Sequence, residues 1–196
     1  IIASVKGSAA SILSAERTAL NFLSHLSGIA SSTSEMVNLI SETNTRIVST
    51  RKTTPNLRIL EKFAVKDGGG MNHRFGLYDG ILIKDNHLAL SGSITNSVSL
   101  AREKCGHMIN IEVEVDNLDQ YREALETQTD AILLDNFNIE DLIKAVKLNK
   151  KNIILEASGK ITKDNILEIA KTGVNLISSG WLTHSSPSLD IGLDFS

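Results

Sequence analysis

From Arg46 to Ser179 the chain repeats one pattern: a short apolar run rich in β-branched residues, then a longer stretch with apolar positions three and four apart. The short runs fall near 46–50, 80–84, 110–115, 131–135, 152–156 and 176–179. Runs of this length read as buried strands, and the stretches between them as amphipathic helices. Steady alternation of the two predicts a parallel sheet covered by helices. About six strands are fewer than a closed (β/α)₈ barrel needs, so the expected fold is α/β, an incomplete, open β/α barrel of parallel strands. Upstream, residues 8–25 place Ile12, Leu13, Ala19, Leu20, Leu23 and Leu26 at helical spacing, predicting a helix with these positions in the core. Gly28 predicts a break, and Met36, Val37 and Ile40 a second helix over 34–42.

Punctuation supports the same reading. Thr54 before Pro55 predicts a helix start, Asn138 and Thr162 can cap the helical runs that follow them, and Gly106 and Gly173 stand where helices stop. The last eleven residues, SPSLDIGLDFS, alternate like a lone strand without a partner in the chain.

The chemistry lies at the ends of the predicted strands, which in barrel folds converge on one mouth. In order they read Arg51-Lys52, Lys84-Asp85, Glu114, Asp135, Ser158-Gly159 and Ser179-Gly180. With His73, Arg74 and His87, the early ends supply cations, and a helix starting at Pro55 would put Arg51 and Lys52 beside a positive helix end, an anion site. In IEVEV the two-residue period puts Glu112 and Glu114 on one face, so at least one carboxylate points into the barrel unless the strand is a solvated edge. Asp135, ending AILLD, reads either as a ligand for a metal or sugar hydroxyl or as a cap for the next helix. The two Ser-Gly turns suit a phosphate bound by backbone N–H groups.

Composition narrows the partners. The chain has 196 residues, 41% of them hydrophobic and 22% charged, ordinary values for one soluble globular domain. A formal net charge of −3 argues against a nucleic-acid or anionic-membrane surface, so the cations form a local pocket for a small anion. No run approaches the ~18 apolar residues of a membrane span. The lone Cys105 excludes an internal disulfide and fits a reducing cytoplasm. His73 and His87 lack the spacing of a zinc pair, and Gly68-Gly69-Gly70 matches neither a dinucleotide nor a P-loop pattern. A start at Ile-Ile suggests a trimmed chain or a fragment.

Seven strings in order, SAERTALNFLSHLSGIAS, TRKTTP, GGGMNHRFGLYDGILIKDNH, IEVEV, AILLDN, LEASG and GVNLISSGWLTHS, closely resemble quinolinate phosphoribosyltransferase, the decarboxylating nicotinate-nucleotide pyrophosphorylase. The resemblance runs from about Lys6 to the end and implies transfer of phosphoribosyl from phosphoribosyl diphosphate to quinolinate with Mg²⁺. The products would be nicotinate mononucleotide, CO₂ and diphosphate, the entry to NAD from quinolinate. It implies that Arg51, His73, Arg74 and Lys84 hold the quinolinate carboxylates, joined by Arg17 from the neighbouring subunit of a dimer. Lys52 would face the diphosphate, Glu114 and Asp135 the ribose hydroxyls and the metal, and Ser158, Gly159, Ser179 and Gly180 the 5′-phosphate. Lys52, Glu114 and Asp135 are the expected catalytic residues.

The family carries an N-terminal α/β domain before the barrel. Residues 1–10 are therefore read as its remnant, 11–185 as the catalytic barrel, and 186–196 as a strand that pairs with that domain. Asn56, Lys160 and Trp181 depart from the family pattern, which has smaller residues there. Two other readings stay open: a related phosphoribosyltransferase acting on another acid, as in paralogues linked to molybdenum transport, and a non-catalytic module that binds an anionic metabolite.

Overall fold

A computed structural model describes residues 1–195. A long helix α1 (Ala9–Leu39) precedes β1 (Arg46–Val48), α2 (Arg58–Asp67), β2 (Ile81–Ile83), α3 (Asp85–Ser91), α4 (Ile94–Lys104), β3 (Ile111–Val115), α5 (Leu118–Leu125), β4 (Ala131–Asp135), α6 (Ile139–Leu148), β5 (Ile154–Ser158), α7 (Ile166–Lys171), β6 (Leu176–Ser178) and α8 (Trp181–His184). All six expected strands form. They make one parallel sheet in the order β1-β6-β5-β4-β3-β2. β1 and β2 are its two edges, so the sheet is open as expected, and β1 gains only a single bridge from Val48 to Met71. β5 starts later than the pattern suggested, because Asn149 ties its side chain to both the N–H and the carbonyl of Ile153, holding that segment in a turn.

The two faces of the sheet differ in chemistry. One face carries Ile47, Ile83, Ile111, Val113, Val115, Ile132, Leu134, Leu155 and Ile177, all buried in a core that includes Val65, Tyr121, Leu142, Ala145 and Ile166 from the helices. The other carries carboxylates and hydroxyls: Glu114 sits beside Leu133, Leu133 beside Glu156, and Asp135 beside Ser158. The helices therefore supply the hydrophobic burial that stabilises the sheet, leaving its inner face free for polar groups.

Several expectations are corrected. Gly28 does not break the first helix, which runs unbroken for 31 residues. A mid-helix glycine costs only about 1 kcal/mol, and here its bare backbone lets the C-terminal segment cross: a Cβ on Gly28 would stand 2.0 Å from the Pro187 carbonyl oxygen. That segment, held by a bond from Leu189 N–H to the Ser24 carbonyl, forms no strand among the described residues. The N-terminal part of α1 is not core, since Leu13 is 56% and Leu23 44% exposed; burial begins at Gly28.

The helix expected from Pro55 starts only at Arg58. Asn56 adopts a left-handed φ of 66°, which no α-helix continues, so Arg51 and Lys52 do not abut a helix end. Thr162 likewise caps nothing with its side chain, and α7 opens after a turn at 163–165. Asn138 does cap α6, its Oδ1 accepting from Asp141 N–H at 2.9 Å.

Candidate active site

The loop after β1 is built by α2. Arg58 donates to Thr53 Oγ1 at 3.0 Å, to the Phe75 carbonyl at 2.9 Å and to the Arg51 carbonyl at 3.3 Å, stapling the Arg51 loop to the segment around residue 75. Glu61, fully buried, accepts the Thr54 N–H at 3.0 Å and pairs with His25 of α1 at 2.8 Å. Lys62 is also fully buried and donates to Ser49 Oγ and to the His73 carbonyl, each at 2.9 Å. Its ammonium lies 5.0 Å from the centre of the Phe75 ring. Arg74 donates to the Gly80 carbonyl at 2.9 Å. Burial, and then the charge of Arg51, push the Arg74 pKa below its ordinary value, against Glu112 and Asp79, so the two guanidiniums share one neighbourhood.

Among the described residues Asp79 and Glu112 attract these cations from nearby, but no carboxylate is in contact with them. Arg51, Arg58, Lys62 and Arg74 form no ion pair among the described residues, whereas Arg102, Arg122, Lys144, Lys151 and Lys163 all do. Four uncompensated cations around one loop, in a protein of net charge −3, mark a site for an anion.

His73 lies between these cations and a pair of acids. Its Nε2 bonds Glu112 Oε2 at 2.7 Å, its Nδ1 accepts the Arg74 N–H at 2.8 Å, and Glu156 stands 3.9 Å away. Because His73 follows the segment beside β1 while Glu112 and Glu156 lie on β3 and β5, these contacts show the sheet curling toward its open side. Burial and the nearby Glu112 push the Glu156 carboxyl up to about 7, against His73 and a bond with Ser178. Burial works to lower the His73 pKa, but the Glu112 hydrogen bond and the Glu156 charge outweigh it and raise the value. While its ring is neutral, with Nδ1 accepting from Arg74 and Nε2 bound to Glu112, His73 offers an incoming anion no free N–H. The sequence reading weighed His73 with His87 only as a metal site and, by the resemblance, set it with Arg51, Arg74 and Lys84 on the quinolinate carboxylates; the fold gives it two carboxylate neighbours of the protein's own, all three donor atoms lying within 4.8 Å of one another. The charged Glu112 and Glu156 inside apolar strands were the available signal.

Lys84, at the end of β2, forms an ion pair with Glu114 of β3. The structure thus joins two residues to which the sequence reading gave separate roles. Asp135 ends β4, where Asn136 Nδ2 donates to it at 2.7 Å. Since Asn138 is the cap of α6, the capping explanation of Asp135 falls away. Glu114 and Asp135 come from adjacent strands, two residues apart along one face of the sheet. A hard divalent cation such as Mg²⁺ takes one or two carboxylates and leaves positions for substrate oxygens, so Glu114 and Asp135 are the side chains of this mouth whose chemistry could hold one.

The Ser158-Gly159 turn closes against β4. Asn136 N–H donates to the Ser158 carbonyl at 2.9 Å, and a Cβ on Gly159 would stand 2.3 Å from Asn136 Oδ1. Lys160 follows with a left-handed φ of 51°. Replacing this exposed lysine with glycine is expected to stabilise the protein by about 1 kcal/mol, raising Tm by roughly 2–4 °C in a thermal melt. No gain in Tm would show that the strain is relieved locally.

The Ser179-Gly180 turn lies over Lys52: a Cβ on Gly180 would meet Lys52 Cδ at 2.8 Å, and Thr183 Oγ1 donates to the Lys52 carbonyl at 2.7 Å. Trp181 turns away from this contact, its ring 5.8 Å from Lys163 Nζ. Arg17 is not brought to these groups by its own chain. It is exposed on α1 and makes no side-chain bond among the described residues.

Residues 29–194 match the family described as quinolinate phosphoribosyl transferase, C-terminal domain. The chain is 51% identical to a probable nicotinate-nucleotide pyrophosphorylase (carboxylating) of Bacillus subtilis over 99% of its own length and 67% of that relative. To the nicotinate-nucleotide pyrophosphorylase (carboxylating) of Mycobacterium leprae it is 44% identical, over 97% of this chain and 68% of the other. The crystal structure of NadC from Streptococcus pyogenes superposes with a TM-score of 0.90 at 44% identity, covering 94% of this chain and 65% of that one. The chain therefore spans about two thirds of the length of the proteins it matches.

Proposed function

Because the chain belongs to the quinolinate phosphoribosyl transferase family, we propose that it carries the catalytic site that transfers phosphoribosyl from phosphoribosyl diphosphate to quinolinate, releasing CO₂ and diphosphate and leaving nicotinate mononucleotide. The relatives' word carboxylating describes the same reaction run toward quinolinate. The observation that carries the reading is the set of unpaired cations, Arg51, Arg58, Lys62 and Arg74, beside a mouth lined by Glu114 and Asp135.

A dicarboxylate needs cations, and Arg51 and Arg74 can each grip a carboxylate through paired bonds. Lys84 joins them when its bond to Glu114 is shared with the acid. His73 braces Arg74 from behind. As the bond from ribose C1 to diphosphate breaks, positive charge grows on the sugar, and Glu114 and Asp135 stabilise it. Glu114 and Asp135 would also hold Mg²⁺, which when bound neutralises diphosphate charge. Lys52 faces the leaving diphosphate, and the two Ser-Gly turns take the 5′-phosphate. Once the ring nitrogen is ribosylated it is cationic. The adjacent carboxylate then leaves as CO₂, the electron pair remaining on the ring carbon beside that positive nitrogen until a proton arrives. No covalent enzyme intermediate is required.

The proposal includes an enzyme that is at least a dimer, with Arg17 completing the acid site of a neighbour. Its exposed position, unpaired, on a helix stretch bearing the exposed Leu13 and Leu23 supports this.

The test is stoichiometry. Full-length protein given Mg²⁺, phosphoribosyl diphosphate and quinolinate labelled at the 2-carboxylate should release one labelled CO₂ for each nicotinate mononucleotide formed. Binding of quinolinate without either product would make the chain a metabolite-binding module, and turnover of a different acid alone would make it a related transferase.

A further inference from the structure

Among the buried groups of this chain, Lys62 stands out for what it lacks. Its side chain is wholly inside the protein, yet all three of its partners are neutral: the Ser49 hydroxyl, the His73 carbonyl and the face of the Phe75 ring. A buried ammonium is normally matched by a carboxylate, because taking an uncompensated charge out of water is costly. The charged groups facing it make the deficit worse. Arg58 of its own helix and Arg51 of the loop after β1 repel it, and only Asp79 of the loop before β2 attracts it. Asp79 is itself committed to the N–H groups of Phe75 and Gly76, at 2.7 and 2.9 Å. Glu61, next in sequence, turns the other way, to His25 and Thr54.

Position gives the deficit a meaning. Ser49 lies two residues before Arg51, and the His73 carbonyl lies on the peptide that leads into Arg74. The ammonium therefore sits directly behind the backbone that carries both arginines of the acid site. We propose that Lys62 is a specificity-determining residue for the dicarboxylate: its counter-charge is supplied by the substrate, so it favours a doubly charged acid and couples acid binding to its own charge. This deepens the reading given above and depends on it.

The sign of the linkage follows from the direction of the pKa. Burial, Arg58 and Arg51 hold Lys62 down at about 8, against 10.5 for a free lysine. Between those values the unfolded chain binds more protons than the folded one, so a charged Lys62 costs stability below pH ~8 and the cost fades as pH rises. An anion bound nearby favours the charged form and raises the pKa again. Quinolinate binding near pH 8 must then draw in protons, and affinity must fall as pH climbs through that region.

The measurement is titration calorimetry of full-length protein with quinolinate at pH 8, in buffers of different ionisation enthalpy, for wild type, Lys62→Met and Lys62→Arg. Wild type should take up a substantial fraction of a proton per quinolinate bound. Lys62→Met should lose most of that uptake and bind quinolinate about tenfold more weakly, with KM for phosphoribosyl diphosphate unchanged. Lys62→Arg should recover affinity without recovering uptake, since its charge does not titrate.

If Lys62→Met does not fold, Lys62→Arg decides, because His73 and Glu156 titrate in the same site and remain in it: uptake equal to wild type in Lys62→Arg, or none in wild type at pH 8, overturns the proposal. Equal affinity and equal uptake in wild type and Lys62→Met also overturn it while leaving the functional reading intact. A wild type that binds no quinolinate overturns both.

Discussion

Arg17→Ala and Lys84→Ala, each nearly inactive alone, are expected to recover activity when mixed. Arg17 is exposed on α1, well before the strands that carry the acid site, and forms no ion pair among the described residues. An exposed arginine with no partner ordinarily contributes almost nothing, so a large loss on its removal requires a role outside its own subunit. Lys84→Ala fails for a different reason, since it removes a cation from the acid site and strands the half-buried Glu114 without its ion-pair partner.

In a two-fold dimer the same patch is used twice. A mixed dimer then has one site lacking both side chains and one lacking neither. Random exchange makes half the dimers mixed, so about a quarter of the wild-type rate should return. The readout is the rate after subunit exchange verified by native mass spectrometry. Exchange without recovery would assign Arg17 to its own surface and sink the shared site.

Nicotinate offered in place of quinolinate should be used roughly a thousandfold less efficiently or worse. Arg51, Arg74 and Lys62 are already crowded by like charge and burial. An acid with one carboxylate leaves at least one of them desolvated and unmatched, at about 1.5–3 kcal/mol for each charged hydrogen bond not made. Nicotinate also has no 2-carboxylate to lose, so the driving force of decarboxylation disappears. Comparison of kcat/KM for the two acids under identical Mg²⁺ and phosphoribosyl diphosphate is the check. Equal values would mean that the cation cluster reads one carboxylate only and that the dicarboxylate assignment is wrong.

How much of this was legible in the residues divides along a physical line. Strand positions were readable because 131–135 is a short apolar run and 111–115 alternates with a period of two, patterns that a strand buried on one or both faces produces and a helix does not. The residues at the strand ends were readable for the same reason, since the fold class fixes where ends converge. The facing of Glu112 and Glu114 followed from the two-residue period alone.

What stayed out of reach depends on distant contacts. Whether Gly28 breaks a helix was settled by Pro187, far along the chain, crossing where a side chain would block it. Whether the Leu13 face belongs to the core was settled by how much of α1 the sheet can cover. The start of α2 was decided by the left-handed Asn56 and by Glu61 reaching back to Thr54. The partners of His73 were decided by the curl of the sheet, which brings β3 and β5 to a segment that follows β1; those of Lys62 were decided by the packing of α2 behind that segment, and that of Lys84 by the β2–β3 register. A sequence specifies each residue's local conformational preference and chemistry, and those determined the layers, the strand ends and the kind of ligand. Which charge meets which, and which is left for a substrate to neutralise, depends on separations through space that only the closed tertiary structure sets.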